Sequence, residues 1–129
     1  PEPGWKHLLF DDADVARFVQ LFYPHFWSTY CSFPFKVMRF DFFRLLAVHY
    51  YGGFYLDMDV EIHKSLEPLR SFGCVLPWEG TAVGNYAFGA TRGHPFIASV
   101  IDLIVATVNG TVTATATATA LDFSFLFEN

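Results

Sequence analysis

The chain is predicted to fold as a mixed α/β domain, because segments with the apolar spacing of helices alternate with short apolar runs typical of strands. A Gly-Gly pair at positions 52 and 53 separates the longest predicted helix from the strand that follows it. Of the 129 residues, 53% are hydrophobic and 19% are aromatic, which is enough apolar material for a buried core. This balance excludes a disordered, polar chain.

The amino-terminal quarter is predicted to contain a strand, a helix and a loop. Residues 5–10 form a short apolar run that is typical of a strand. Asp11 or Asp12 then caps a first helix, since an aspartate side chain can accept a hydrogen bond from a backbone N–H of the first turn. Pro24 ends this helix because proline has no N–H to donate. Residues 25–33 are expected to form a loop anchored by aromatic side chains.

A second helix, over 35–51, is predicted to lead directly into a strand. Pro34 suits its first turn, and the Gly-Gly pair ends it because glycine readily adopts a left-handed conformation. The strand begins at 54–56, and strict alternation continues to position 63. The two alternating sets are Leu56, Met58, Val60 and Ile62 on one face, and Asp57, Asp59, Glu61 and His63 on the other.

The remaining elements complete one domain. They are a turn or short helix over 65–71, strands over 74–76 and 86–90 with a loop over 78–84 between them, and a third helix from Pro95 to Asn109-Gly110. Positions 113–120 form a Thr-Ala repeat without core-forming side chains. We therefore expect a partial domain over 1–110 and a low-complexity tail over 111–129, to which we assign no function.

Charge and apolar patterning exclude two classes of partner. The net charge is −5 and the basic residues are scattered, so the chain lacks the basic stripe of a nucleic-acid binder. The longest apolar run, 96–108, is interrupted by polar residues and is shorter than a membrane span, and no signal peptide is visible. Any membrane association is expected to require segments absent here. Cys31 and Cys74 are compatible with one disulfide or with two buried thiols.

The charged residues around the second helix and the strand form a composite motif. Asp41 and Arg44 are three residues apart and project from one side of a helix. Asp57 and Asp59 are two apart and are expected to leave the same side of an extended segment. The Gly-Gly turn would fold the helix and the strand together and bring the four charged groups to one site. The full pattern is Arg39-x-Asp41-x-x-Arg44, seven residues, then Gly52-Gly53-x-Tyr55-x-Asp57-x-Asp59.

This set of groups suits a nucleotide-sugar donor. Two close carboxylates can hold Mg²⁺ or Mn²⁺, which prefer oxygen ligands and share their ligand shell with substrate phosphates. Such an ion neutralises the diphosphate of the donor as it leaves. An aspartate and an arginine together accept from and donate to sugar hydroxyls, which fixes the reacting carbon in place.

The composite motif resembles the DXD sugar-binding region of glycosyltransferase family 32, which includes fungal alpha-1,6-mannosyltransferases and inositol phosphorylceramide mannosyltransferases. Every position of that pattern is matched here. The similarity extends from Trp5 through the third helix, and includes Asn85 and Gly93-His94-Pro95-Phe96. A lone D-x-D would be weak support, whereas the composite is specific.

The resemblance implies an incomplete GT-A-type, Rossmann-like nucleotide-diphospho-sugar transferase fold. It implies a retaining hexosyltransferase that uses Mn²⁺ or Mg²⁺, with mannose from GDP-mannose, or a UDP-hexose, as donor and a glycan or sphingolipid as acceptor. It also implies the Golgi or another secretory-pathway lumen. Because the family has further segments on both sides, we expect this piece, made alone, to be poorly soluble or to associate, and to lack transferase activity.

The residue roles are likewise implied by the resemblance. Asp59 would coordinate the metal directly. Asp57 would bind the ribose or sugar and reach the metal directly or through water, so the two aspartates are the catalytic and metal-binding candidates. The substrate-binding candidates are Asp41, Arg44, Asp57, Arg39 and Asn85. Tyr55 and the glycines would be structural.

Other interpretations of these residues remain open. The two motif aspartates could be the polar edge of a strand, and Asp41 with Arg44 could be a surface ion pair of little energetic value. Arg39 could simply pair with a neighbouring carboxylate. Glu61 and His63 are expected to be solvated rather than part of a metal site.

Two other functions also remain open. Positions 55–60 resemble the strand-borne nucleophile motif of haloacid-dehalogenase-type phosphatases. That motif normally lies on the first strand of its fold, and it leaves the upstream arginines and Asp41 unexplained. The chain could also be a non-catalytic remnant that binds a sugar nucleotide.

Overall fold

The computed structural model describes residues 4–78, 80, 84 and 86–110. Over these residues the chain forms helices and a small sheet, joined by short 3₁₀ turns at Pro24–Phe26 and Glu67–Ser71. The helices are α1 (Asp12–Phe22), α2 (Trp27–Ser32), α3 (Lys36–Tyr51) and α4 (Pro95–Val108). The strands are β1 (Gly53–Leu56), β2 (Cys74–Val75) and β3 (Ala87–Ala90).

The three strands form one sheet in the order β1-β3-β2. Both pairings are antiparallel, with Tyr55 opposite Phe88 in the first and Cys74 opposite Ala90 in the second. The predicted mixture of helices and sheet is therefore confirmed. A parallel, Rossmann-like sheet is not seen in the described part of the chain, and the GT-A arrangement stays a prediction.

The start of α1 follows the predicted capping chemistry. The Asp11 side chain accepts from the backbone N–H of Asp14 at 2.7 Å, and the Asp14 side chain accepts from the backbone N–H of Asp11 at 3.0 Å. This reciprocal pair is a capping box, which satisfies two backbone donors at the helix end. The backbone hydrogen bond, with help from Arg17, lowers the pKa of Asp14 below its ordinary value.

The central element is α3, which contacts α1, α2, α4, β1 and β3. Apolar side chains surround most of its circumference, as expected of a helix enclosed by other elements. It ends at Gly52, whose φ of 69° and ψ of 170° form a conformation that is essentially restricted to glycine. The predicted helix end is thus confirmed, whereas Pro34 precedes the N-cap Phe35 instead of lying in the first turn.

The high aromatic content of the chain is reflected in its core, which contains many Phe and Tyr side chains. Phe18 of α1 packs edge-on against Phe43 and Tyr50 of α3, with ring centroids 5.4 and 5.6 Å apart. Such edge-to-face contacts add to the stabilisation from burying the rings. The largest fully buried side chains are Phe42, Leu46, Ile97, Ile104 and Val19.

Two predictions for the amino-terminal third are wrong. Residues 5–10 form no strand, because Trp5 is fixed by side-chain contacts: its indole N–H donates to Glu67 at 2.9 Å and its ring lies 5.8 Å from that of Phe54. Positions 25–33 are largely helical instead of a loop. Tyr30 of α2 is buried and stacks on Trp27 at 5.3 Å, so packing favours a helix where local propensity is weak.

The extension of β1 beyond Leu56 is also wrong. Residues 58 and 59 form a turn, in which the backbone N–H of Val60 donates to the carbonyl of Asp57 at 3.0 Å. Met58, expected on the apolar face, is 93% exposed. The alternating sequence pattern therefore does not correspond to a half-buried strand here, because no described strand pairs with these residues.

Neither cysteine alternative is confirmed in full: Cys31 and Cys74 are both free thiols, but Cys31 is exposed and Cys74 is half-buried, so they are not two buried thiols. Burial raises the pKa of the Cys74 thiol. Among the described residues, no helix is both long and apolar enough to cross a bilayer. The Thr-Ala tail, and with it the proposed boundary at 110, lies outside the described residues.

Candidate functional site

The candidate site lies where β1 ends beside α3. Asp57 is the first residue after β1, and its backbone N–H donates to the carbonyl of Tyr86 at 2.8 Å. This bond continues the β1–β3 ladder by one residue. The sheet therefore fixes the backbone of Asp57, while 30% of its side chain remains accessible.

Arg44 joins the helix side of the site to the strand side. Its guanidinium nitrogen Nη2 lies 2.7 Å from Oδ1 of Asp41 and 3.7 Å from Oδ1 of Asp57. Arg44 is only 7% exposed, and an isolated buried charge would be costly. The two carboxylates compensate that charge. Asp41, Arg44 and Asp57, which the sequence pattern grouped, are thus brought together.

Tyr55 contacts both charged partners at the end of the strand. Its hydroxyl donates to Oδ1 of Asp57 at 2.8 Å, and the Arg44 guanidinium lies 4.9 Å from the centre of its ring. Burial is the main reason that the pKa of Tyr55 is raised to about 12, so the phenol is a protonated donor at neutral pH. Sequence reasoning gave Tyr55 only a structural role. The sequence did contain a sign of this contact: Tyr55 and Asp57 are two residues apart, and residues two apart on a strand point to the same face.

Asp59 lies in the turn that follows β1 and not on an extended strand, so its part in the site stays a prediction. The turn at 58–59 replaces the predicted geometry in which both carboxylates leave one side of a strand. Asp59 is exposed, next to the exposed Met58. The aspartates at positions 41, 57 and 59 carry three negative charges against the one positive charge of Arg44, which gives a formal charge of −2. This charge favours a cation.

The donor set is compatible with a divalent cation that shares its ligands with a substrate. Within the described part of the chain, no three His, Cys, Asp or Glu side chains are grouped as a metal site. Asp57 and Asp59 therefore offer two carboxylates at most in that part of the chain. Mg²⁺ and similar ions are commonly held by one or two carboxylates together with substrate phosphates and water. The residues present fit that kind of binding.

Arg39 lies away from this charge cluster. One of its guanidinium nitrogens, Nη2, donates to the carbonyl of Cys31 at 3.2 Å, and the group lies 5.4 Å from the Tyr30 ring. Arg39 and Arg44 are separated by about 140° around α3. Arg39 therefore connects α3 to α2, and its role in donor binding stays a prediction. Asn85 lies outside the described residues.

Glu61 and His63 have the solvated character expected of them. Their side chains are 83% and 77% exposed, and the nearest oxygen–nitrogen distance between them is 3.6 Å. A separate recess of about 330 Å³ lies on the other face of β1, where Phe54 points away from Tyr55. The charged cluster does not line it.

The comparisons with known proteins identify the family. A family described as "Glycosyltransferase sugar-binding region containing DXD motif" matches residues 2–76. Inositol phosphoceramide mannosyltransferase 3 of Schizosaccharomyces pombe is 32% identical over 100 residues, which are 77% of this chain and 28% of that protein. Inositol phosphoceramide mannosyltransferase 1 of the same yeast is 33% identical over 102 residues, 78% of this chain and 32% of that protein.

A budding-yeast relative gives the same result. The mannosyl phosphorylinositol ceramide synthase CSH1 of Saccharomyces cerevisiae is 31% identical over 77% of this chain and 27% of its own length. The chain thus spans about a third or less of the length of these three relatives. No solved structure matches the chain significantly. The family match covers more than half of the chain, including the helix, the Gly-Gly turn and the DXD motif; the chain belongs to the glycosyltransferases with a DXD-containing sugar-binding region.

Proposed function

We propose that the protein is a metal-dependent, retaining hexosyltransferase of GT-A fold. Its donor is a nucleotide sugar, GDP-mannose in the first instance, and its acceptor is an inositol-phosphoceramide-type sphingolipid. The observation that carries the proposal is the buried Arg44, which lies between Asp41 and Asp57 at the end of β1. Arg44 is buried, so its contact with Asp41 is not the exposed surface ion pair that was the alternative interpretation. A buried cation flanked by carboxylates, one of them partly accessible, places convergent polar groups at the strand end, as a binding site for a polar ligand requires.

Asp57 and Asp59 are the residues that would hold Mn²⁺ or Mg²⁺. When bound, the ion supplies positive charge to the diphosphate of the donor and to the leaving nucleotide. The formal charge of the cluster supports this assignment, as does the exposed position of Asp59 in its turn. The fixed backbone of Asp57 would keep one ligand in place before the donor arrives.

Asp41 and Arg44 are the residues that would orient the sugar. The Asp41 carboxylate accepts hydrogen bonds from sugar hydroxyls, and the Arg44 guanidinium donates to sugar oxygens. Because Arg44 is buried and paired, its side chain loses little further freedom on binding. Holding the anomeric carbon in one orientation lowers the entropic part of the reaction barrier.

The donor and acceptor assignments rest on the relatives. Those proteins are named as mannosyltransferases of inositol phosphoceramide and as mannosyl phosphorylinositol ceramide synthases. By family resemblance we propose the lumen of the Golgi or of another secretory-pathway compartment as its location. A UDP-hexose donor and a glycan acceptor are the alternatives. The phosphatase interpretation loses its support, because the matched family region includes Arg39, Asp41 and Arg44, which that interpretation left unexplained.

A donor panel tests the proposal. The protein, purified at its full natural length, would be titrated with GDP-mannose and UDP-hexoses, with Mn²⁺ or with chelator, and assayed for transfer to inositol phosphoceramide. We expect Mn²⁺-dependent binding and transfer of mannose, and the loss of both in Asp59→Asn. Glu61→Gln is the matched control, because it removes a similarly placed but solvated carboxylate. Donor affinity that chelator leaves unchanged would contradict the metal role, and binding without transfer would indicate the non-catalytic alternative.

A further inference from the structure

We propose that Tyr55 is a positioning residue for Asp57. Its hydroxyl fixes the carboxylate so that Oδ1 is engaged with the protein while Oδ2 is directed to the cation and the donor. This inference rests on the proposed function, and it gives a specific part to a side chain to which the sequence assigned only packing.

The geometry separates the two oxygens of Asp57. The Tyr55 hydroxyl donates to Oδ1 at 2.8 Å, and the Arg44 guanidinium lies 3.7 Å from the same oxygen. Both contacts therefore act on one oxygen. A carboxylate held by a donor on one oxygen has a restricted side-chain rotation, so its second oxygen points in one direction.

Arg44 alone is a poor restraint on Asp57. It lies 1.0 Å closer to the Asp41 oxygen than to the Asp57 oxygen, from distances of 2.7 and 3.7 Å. The Tyr55 hydroxyl is the short contact. Its ring is itself fixed, because the Arg44 guanidinium lies 4.9 Å from the ring centre and the Phe88 ring lies 5.8 Å away on β3.

The position of Tyr55 on β1 explains why this contact is stable. Tyr55 pairs with Phe88 in the antiparallel register, so its backbone is set by the sheet. Asp57 lies two residues later on the same face and is tied to Tyr86. Donor and acceptor are thus held by one ladder, and little conformational freedom is lost when the hydrogen bond forms.

Tyr55→Phe isolates the hydroxyl, because it retains the ring and its contacts with Arg44 and Phe88. Partners that orient a metal ligand typically change metal affinity or activity by 10- to 100-fold when they are removed. We therefore expect Tyr55→Phe to weaken Mn²⁺ binding by about 10-fold or more. The matched control is Tyr30→Phe, which removes a buried phenol hydroxyl on α2 beside Arg39 and away from Asp57.

The test is a titration of the protein, purified at its full natural length, with Mn²⁺, followed by electron paramagnetic resonance, together with the thermal unfolding midpoint. We expect weaker Mn²⁺ binding in Tyr55→Phe alone, with unfolding midpoints of the two phenylalanine variants that are alike. Equal Mn²⁺ affinity in wild type and Tyr55→Phe would overturn the positioning role and leave the proposed function intact. No Mn²⁺ binding by the wild type, even with GDP-mannose, would overturn both.

A double-mutant cycle supplies a second measurement that a general loss of stability would not reproduce. If Tyr55 acts through Asp57, Tyr55→Phe changes Mn²⁺ affinity in the wild type and has no further effect in Asp57→Asn. Additive losses would overturn the proposal, because they would show that the hydroxyl acts independently of the carboxylate.

Discussion

At the scale of single residues, Arg44 decides the character of the site. It is 7% exposed among the buried apolar side chains of α3, where an unpaired cation would destabilise the fold. Asp41 supplies the short ion pair and Asp57 the longer one, and Tyr55 lies against the guanidinium. The same charge thus links α3 to β1, and under the proposed function it is also the group that donates to the donor sugar.

Asp41→Ala tests the sugar-binding role of the helix side. We expect kcat/KM for the sugar donor to fall by about 100-fold, because loss of a positioning contact misplaces the reacting carbon. Affinity for free GDP, measured by calorimetry, should change by less than about two-fold, because Asp41 is assigned to the hexose alone. Equal losses for GDP and for GDP-mannose would show that Asp41 acts on the nucleotide or on the fold instead.

At the scale of elements, local backbone chemistry sets the start of α1 and the end of α3. The start of α1 is set by the capping box. Asp11→Ala removes its N-cap and should lower the free energy of unfolding by about 0.5–2 kcal/mol in chemical denaturation. Asp12→Ala is the control, since it removes a carboxylate from the same helix turn that is not the cap and that forms an exposed ion pair with Lys36 at 2.7 Å. Equal destabilisation by both substitutions would show that charge, and not the cap, is responsible.

The end of α3 is set by the turn at Gly52. Its φ of 69° is shared by Gly93, but a Cβ at Gly52 would lie 2.8 Å from the backbone nitrogen of Arg92, whereas a Cβ at Gly93 would meet nothing within 4 Å. Both Gly→Ala variants carry the strain of a positive φ, about 1–2 kcal/mol in the left-handed helical region. Gly52 carries more, because its ψ of 170° puts it in a region essentially restricted to glycine. Gly52→Ala also forces the α3–β1 turn away from the loop before α4. Denaturation should therefore show a clearly larger loss for Gly52→Ala, and similar losses would contradict this close packing.

At the scale of the whole molecule, the aromatic core connects α1 to α3 through a polar contact. The Tyr23 hydroxyl lies 2.7 Å from Nδ1 of His49. Burial, and next the neighbouring Tyr50, raises the pKa of Tyr23 to about 12. An unfolded tyrosine has a pKa of about 10. The unfolded chain therefore loses this proton first, and the stabilisation is complete below pH 10 and is lost as pH rises toward 12.

We therefore expect the denaturation midpoint to fall between about pH 10 and 12. Tyr23→Phe should make this decline less steep, although it should not remove it, because the pKa of Tyr55 is raised to about 12 as well. Tyrosinate absorbance, followed in parallel with denaturation, checks which phenols titrate in the folded state. An unchanged slope in Tyr23→Phe would show that Tyr23 titrates as an ordinary exposed tyrosine.

The sequence by itself determined the features that depend on neighbours along the chain. The cap of α1, the end of α3 at Gly52, the span of α4 and the family motif all follow from backbone chemistry or residue spacing within a few positions. Capping and glycine conformations act over one turn, so one sequence is enough to recognise them. The DXD composite likewise identified the family before any contact was known.

Only the tertiary structure decided the features that depend on distant partners. Trp5 is held by Glu67 and Phe54 and not by a neighbouring strand, and α2 is helical because its aromatic side chains are buried against the core. The turn at 58–59 replaces an extended strand because no described strand pairs with it. The hydrogen bond from Tyr55 to Asp57 and the attachment of Arg39 to α2 were not assigned from the sequence. These outcomes depend on burial and on contacts between separate elements, which outweigh weak local propensities and which residue spacing alone does not encode.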